Sequence, residues 1–448
     1  MHRNHHSTAE MPSAEVSLRM LIISIVIVGT AFFMAKHDAF FSLYEIDLRG
    51  SRTTLGEAAA ASGDLVASGS VLRQIGFTLL GATGFWYFIM PANRRFTPWN
   101  IMALLLLMSL AWCAASAAWS SAPMLTVKRV AALVLTFIGA IGISRRLSAK
   151  QLTQLALFVS LIFVITGLIA ELALGQFTPW ADDYRFAGTV HPTHQGPISA
   201  CLALAAGSFL LNGHRSKALF VAIALGCITL LLTRTRASVF GFMAGVGTIW
   251  MLQAHPRQRV TALVTSGWAV VTALLFFSIF GLNEETVDVA ALGRSESLAS
   301  LSGRIPLWTQ LMNYVHSQPL QGYGYSAFWT PDRIADIARS INWVAPSAHS
   351  AYLSVVLYIG LAGAAMVFPA ILIGTYRLYR KQVLAPDPGT AFLLGLTVFG
   401  MVQGLFASNF SSPDFVTFIA MCGMAQVAFY ATSTDNLPDT IIQYPRHN

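Results

Sequence analysis

Long apolar runs broken by short polar segments dominate this chain, at residues 18–35, 70–90, 100–118, 127–143, 152–174, 195–212, 217–233, 237–254, 262–280, 349–375, 390–408 and 413–431. A helix needs about 20 apolar residues to cross hydrocarbon, so the pattern predicts about twelve membrane-spanning helices. The runs are continuous rather than alternating, which points to helices and away from a β-barrel. The expected fold class is an all-α polytopic membrane protein. Run 127–143 is short, and the pair within 217–254 must turn sharply at Thr233–Arg236. Residues 281–348 are polar and form the large external (periplasmic) loop expected between spans nine and ten. The domain plan is then membrane helices one to nine with short loops over 1–280, the loop over 281–348, helices ten to twelve over 349–431, and a tail over 432–448.

Composition agrees with this pattern. Hydrophobic residues make up 55% and charged residues 11%, with a mean hydropathy of +0.60, too apolar to cover a soluble globule. Charge sets the orientation. Arg94 and Arg95, then Arg145, Arg146 and Lys150, Arg215 and Lys217, Arg257 and Arg259, and Arg377, Arg380 and Lys381 occupy the even-numbered loops, with Asp387 the one acid among them. The odd-numbered loops mix signs, holding Asp38, Glu45, Asp182, Asp183, Glu284, Asp332 and Asp336 among others. The positive-inside rule therefore places both termini in the cytoplasm and the 281–348 loop outside. That topology accounts for the net charge of +8 without a nucleic-acid partner.

Cys113, Cys201, Cys227 and Cys422 all fall in predicted spans, which speaks against a disulfide framework, and they lack metal-type spacing. MHRNHHSTAE lacks a cleavable-signal pattern, so the first span is expected to stay as an anchor, and His2, His5 and His6 read as a solvated tail.

Several polar residues sit where membrane physics disfavours them. Arg234 and Arg236 fall at the external end of the tight turn, where they either snorkel to headgroups or form an anion site. Guanidinium suits the second role because its planar fork can hold two phosphate oxygens. Ser347 reads as an N-cap, which puts His349 in the first helical turn of span ten, where the positive helix end favours a neutral imidazole able to act as a base. In the loop, GRIPLWTQLMNYVHSQP from Gly303 predicts an amphipathic helix with Leu307, Trp308, Leu311 and Val315 on one face. It would lie on the outer membrane surface with Trp308 at headgroup level, and Arg304 would face lipid or substrate phosphate. Tyr323 and Tyr325 in Gly322–Phe328 offer flat faces and hydroxyls suited to sugars. His191 and His194 lie on the same outer side with Asp182, Asp183 and Arg185. No third metal ligand is placed by the sequence and Pro192 argues against a helix there, so a hydrogen-bonded role is expected and no metal.

The series Leu292-Gly293-Arg294, Leu301-Ser302-Gly303-Arg304 with Trp308, Pro319 to Trp329, His349-Ser350-Ala351-Tyr352-Leu353 and Gly360-Leu361-Ala362-Gly363 resembles the O-antigen polymerase and ligase superfamily, within it the exopolysaccharide-production polymerases. The likeness runs from Phe186 to Gly363, with a similar topology beyond. It implies a metal-independent, cofactor-free inverting glycosyltransferase of the bacterial inner membrane, with a polyprenyl (undecaprenyl) diphosphate-linked oligosaccharide as donor. The acceptor would be a saccharide or lipid-glycan, and membrane lipids and chain-length or export proteins would be partners. It assigns catalytic roles to Arg236, Arg304 and His349, and leaves Arg234, His191, His194, Trp308, Tyr323 and Tyr325 as candidate substrate contacts. The chain departs from relatives at His191-Pro192-Thr193-His194, where they read His-Pro-Asn or His-Lys-Asn, and at Ser350, where Asn is common. Both departures bear on the acceptor. Two other readings stand beside this one: a ligase that delivers finished glycan to lipid A-core or protein, and a lipid-linked oligosaccharide flippase. A flippase predicts charged residues along a mid-membrane path, whereas here Glu171 is the main acid near a span, toward its outer end.

Overall fold

The computed structural model describes residues 14–36, 70–91, 94–181, 184–253 and 299–430. The predicted run 262–280, most of the first loop and residues 281–298 lie outside the described residues. Among the described residues regular structure is helical, with one isolated bridge between Phe96 and Tyr430. The helices are α1 (Ala14–Lys36), α2 (Val71–Ile89), α3 (Ile101–Ala115), α4 (Pro123–Arg146) and α5 (Ala149–Ala173). They continue as α6 (Pro192–Leu211), α7 (Lys217–Leu232), α8 (Arg236–Gln253), α9 (Ala299–Ser317) and α10 (Pro331–Ile341). The last three are α11 (Ala351–Leu384), α12 (Pro388–Gln403) and α13 (Phe415–Phe429).

A helix stands at each predicted apolar run that falls among the described residues. Five helical segments there, in α1, α3, α4, α5 and α11, are long and apolar enough to cross a membrane, and α7, α8, α12 and α13 are shorter apolar helices. The protein is thus an all-α, multi-pass membrane protein. Element ends follow local chemistry. Ser148 and Gln151 form a capping box that starts α5, and Asp387 accepts from Thr390 N at 2.9 Å ahead of Pro388 in α12. The turn expected at Thr233–Arg236 separates α7 from α8. α4 is longer than its apolar run and α12 shorter, ending at Gln403 before a polar turn.

The bundle has two distinct ends. At one, Arg94 donates to the carbonyls of Ser144 (2.7 Å) and Leu147 (3.0 Å), and Arg145 and Arg146 donate to those of Phe88 and Tyr87. Arg377 reaches Asn100 and the Val427 carbonyl there, each at 2.9 Å. The basic residues that mark loop polarity therefore also occupy the orphan carbonyls of helix C-termini. The early part of α1, through Ser24 and Tyr87, and the end of α13, beside Thr97, lie at this same end. At the other end gather the connections after α3, α5, α7 and α12 together with the segment before α11. A core of Phe32, Phe392, Phe399, Phe418 and their neighbours fills the bundle between. A second cluster, with Leu307, Leu311, Phe328, Trp329, Ile334 and Ile337, joins α9 and α10 to α11.

α11 is interrupted. Gly360 takes φ 66° and ψ −176°, outside the helical region. The backbone groups this frees are met by the segment before α10: Tyr323 N and Gly324 N donate to the Leu357 and Tyr358 carbonyls at 2.9 Å, and Leu361 N and Ala362 N donate to Pro319 O (2.8 Å) and Leu320 O (3.1 Å). Trp112 Nε1 takes the Ile359 carbonyl at 2.9 Å. Unpaired backbone groups at membrane depth cost several kcal/mol each, so a broken helix persists where protein satisfies them. A Cβ on Gly322 would lie 2.6 Å from Gly360 N, which excludes any side chain at that crossing.

Candidate functional site

The non-basic end of the bundle is organised from below by Glu171. Its carboxylate, buried in the last turns of α5, accepts from Ala187 N (2.8 Å), Gly188 N (2.7 Å) and the Tyr184 hydroxyl. Those bonds spend the acid on folding the 184–188 loop, and they push the Tyr184 hydroxyl pKa upward, burial being the larger cause. The loop carries Arg185, whose Nε donates to the Thr233 carbonyl at 3.2 Å. It delivers His191 as the N-cap of α6, accepting from Thr193 N. Pro192 opens that helix at its first position, so the expectation that proline would prevent a helix is corrected: at N1 its missing N–H is not needed. His194 therefore sits in the first turn of α6.

The α7–α8 turn packs on this loop. Thr235 Oγ1 donates to the Pro192 carbonyl at 3.3 Å, and Arg234, in the left-handed region at φ 50°, reaches the Ala181 carbonyl at 3.4 Å. Arg236 opens α8, half-buried, directly after that turn.

His349 arrives from the third side. Its expected place in the first turn of a helix capped by Ser347 is corrected: Ser350 is the N-cap, accepting from Leu353 N, and α11 starts at Ala351. Ser350 wins because the turn after Gln403 engages the backbone there, Ala351 N donating to Gly404 O at 2.8 Å. His349 is left just outside the helix at φ 49°, its ring stacked on Trp343 at 5.4 Å between centroids. α9 holds the approach. Leu307, Leu311 and Val315 are buried as its pattern predicts, and Trp308 Nε1 donates to the Ala348 carbonyl at 2.9 Å. The helix is thus docked on α10 and α11, and Trp308 is tied to the backbone next to His349. Arg304 lies one turn earlier on the face of Trp308, which brings its charge to His349.

The electrostatics follow from this convergence. Burial, then the Arg304 charge, lowers the His349 imidazole from 6.5 to about 4. Burial, then His194, Arg185 and His349, lowers His191 to about 3. Both histidines are therefore neutral near pH 7, held so by desolvation and like charge rather than by a helix end. His349 thus lies within reach of the Arg304 charge, and His191 within reach of His194, Arg185 and His349.

The turn between α12 and α13 completes the site, and the sequence reading passed over it. Asn409 Nδ2 donates to the Thr193 carbonyl at 2.6 Å, and Asp414 Oδ2 lies 3.3 Å from His194 Nδ1. Together they border a small hollow open to the surroundings, lined otherwise mainly by apolar side chains, among them Phe32, Phe163, Phe410 and Phe415. The available signal was the short Asn409–Ser412 interruption between two apolar runs, with Asp414 an acid at the very start of the second.

Tyr323 and Tyr325 are not gathered into this site. Both are buried in the cluster under α10, with Tyr323 donating to the Tyr314 carbonyl at 2.9 Å beneath the Arg333 guanidinium. Tyr325 N donates to Ser116 Oγ at 2.9 Å, and Arg129 of α4 donates to the carbonyl of the next residue, Ser326. Their packing fixes the segment that pairs with α11 and leaves little of either ring accessible.

Residues 219–368 match the O-antigen ligase family, a stretch that holds Arg234, Arg236, Arg304, Trp308, Tyr323, Tyr325 and His349 but neither His191, His194 nor Asp414. The chain is also 23% identical over 318 residues to the "Exopolysaccharide production protein ExoQ" of Rhizobium meliloti (strain 1021), covering 67% of this chain and 69% of that relative. Over these stretches the chain is similar to the O-antigen ligase family and to that exopolysaccharide production protein.

Proposed function

We propose that this protein transfers saccharide, with inversion, from a polyprenyl (undecaprenyl) diphosphate-linked donor to an acceptor sugar hydroxyl at the periplasmic face of the inner membrane, in exopolysaccharide or O-antigen polymerisation. The carrying observation is the coupling of Arg304 to His349 across the Trp308–Ala348 hydrogen bond, with His349 in reach of His191, which Arg185 and His194 also reach. A positive site with neutral imidazoles suits a reaction that expels a diphosphate and removes one proton. Arg236 and Arg304 clamp the diphosphate, stabilising the charge that grows on it as the anomeric C–O bond breaks. Arg234 adds to the anion-facing turn. His349, neutral, orients the acceptor hydroxyl on the opposite side of the sugar or takes its proton. One displacement without a covalent sugar–enzyme intermediate gives inversion, and the reading needs neither metal nor nucleotide.

This reading places the basic end of the bundle and both termini in the cytoplasm, and 281–348 in the periplasm, in line with the positive-inside rule. Tests begin with proteoliposomes of the full chain given lipid-linked saccharide from membranes of a null strain. New glycosidic bonds are expected by mass spectrometry. Arg304→Ala and His349→Ala are each expected to lower the rate at least about 100-fold, the scale of losing a charge-stabilising or acid–base group. Full rates in both variants would overturn the reading, and donor crossing the bilayer without bond formation would instead indicate a flippase. The match to a family described as O-antigen ligase favours one second reading, transfer of finished glycan to lipid A-core or protein. A null strain decides: single repeat units on carrier mean a lost polymerase, and long undelivered chains mean a lost ligase.

A further inference from the structure

Proton removal from the acceptor leaves a positive charge on whichever group receives it, and the groups crowding this site are mostly cationic already. The His194 ring meets His191 on its own turn, 6.4 Å between ring centroids; His191 in turn feels the charges of Arg185 on the preceding loop and His349 ahead of α11, and His349 that of Arg304 on α9. Arg234 and Arg236 stand at the adjoining α7–α8 turn, which packs on Pro192. Opposite them is the carboxylate of Asp414, ahead of α13.

Asp414 occupies the N-cap position of α13 yet makes no side-chain cap hydrogen bond. An aspartate at that position ordinarily accepts from the backbone of the first turn. Here the carboxylate is turned to His194 instead, with Ser412 Oγ donating to the same Oδ2 at 3.2 Å. The 3.3 Å between His194 Nδ1 and Oδ2 is ion-pair distance, with the angle outside hydrogen-bond alignment in this state. Nδ1 is buried while the side chain as a whole is 31% exposed, so the accessible part of the ring is the Nε2 side. Asn409 clamps the neighbouring Thr193 carbonyl, holding this arrangement from the same turn that carries Asp414. A carboxylate on one ring nitrogen fixes the proton there, presents the other nitrogen's lone pair, and stabilises the imidazolium once formed.

We infer that His194, held by Asp414 as a positioning residue, receives the acceptor-hydroxyl proton, and that His349 is left to orient that hydroxyl. The inference rests on the transfer reaction proposed above. In the step, the acceptor O–H bond breaks and its oxygen's electron pair forms the new bond to the anomeric carbon. The anomeric C–O bond to the diphosphate breaks with its pair remaining on the lipid diphosphate, and the proton ends on His194 Nε2. His349, buried and next to the Arg304 cation, is poorly placed to carry that charge. His194 has the counter-ion at hand.

The test uses the full chain in proteoliposomes with the same null-strain lipid-linked saccharide. Asp414→Asn preserves shape and removes the charge; kcat is expected to fall at least about tenfold with KM within about twofold, the split expected when transition-state stabilisation alone is lost. The acid limb of its pH–rate profile should move, and Asp414→Glu should recover part of the rate. His194→Gln should lose at least as much, and the double variant should lose no more than His194→Gln alone, because the two residues act as one unit. An Asp414→Asn enzyme with the parental kcat and pH profile overturns the inference, as do losses that multiply in the double variant. Should Asp414→Asn fail to fold, a folded His194→Gln protein decides: a full rate overturns the inference, and a large loss in kcat with KM kept supports it. A parental protein that makes no glycosidic bond overturns the transfer reading and this inference together; an active parent with an indifferent Asp414→Asn overturns this inference alone.

Discussion

His349 occupies a backbone conformation that an L-residue adopts at a cost of order 1 kcal/mol, at φ 49°. Glycine would relieve that strain, so His349→Gly should keep or slightly raise thermal stability while transfer activity collapses. That pairing separates a catalytic role from a structural one in a single melt and assay. Its low pKa has two causes, and they can be separated too. Arg304→Met should raise the His349 pKa from about 4, yet leave it below 6.5 because burial is the larger cause; a histidine NMR titration measures this. The stability consequence has a definite sign. His349 and His191 bind protons more weakly folded than unfolded, so their contribution is complete above pH 6.5 and is lost as pH falls toward about 4 and about 3. At this scale the sequence was legible in chemistry but not in position. Arg304 and Trp308 are one turn apart, so their common face could be read directly. The cap at Ser350 could not, because Ser347 and Ser350 are equal candidates until Gly404 from a distant turn engages Ala351. Asp414 was silent for the same reason: its partner His194 is brought to it by the bundle alone.

At the scale of elements, apolar runs located the helices because membrane spans bury nearly every side chain in lipid or protein. Their ends were less readable, since α11 runs past its apolar stretch to Leu384 and α12 stops short at Gln403. The tyrosine segment shows the limit most plainly. Tyr323 and Tyr325 look like a sugar platform in isolation, but the same glycines that suggested ligand approach serve the crossing with α11. Gly322→Ala should therefore destabilise the detergent-solubilised protein by several kcal/mol, seen as a large drop in melting temperature, because the intruding Cβ prises apart backbone pairs at the break. Glu171→Gln should act more locally. An amide offers one acceptor oxygen where the carboxylate serves Ala187, Gly188 and Tyr184, so hydrogen exchange of residues 184–190 should quicken at a cost of about 1–3 kcal/mol.

For the whole molecule, the separation into a basic end and a histidine-bearing end carries the proposed orientation. Single cysteines at Trp180 and Arg339, both strongly exposed, should react with an impermeant maleimide added to intact cells. A cysteine at Arg215 should react after lysis alone; the reverse pattern would invert the topology. The break at Gly360 has a further consequence, for how the protein is made. The ribosome delivers residues 319–324 before α11 exists, so the segment must wait for a helix whose two halves still lack partners for their exposed amides and carbonyls. Neither piece is complete without the other. The last half of α11 should therefore settle in the membrane only when the earlier segment returns to it, so that docking of residues 319–324 comes late in assembly.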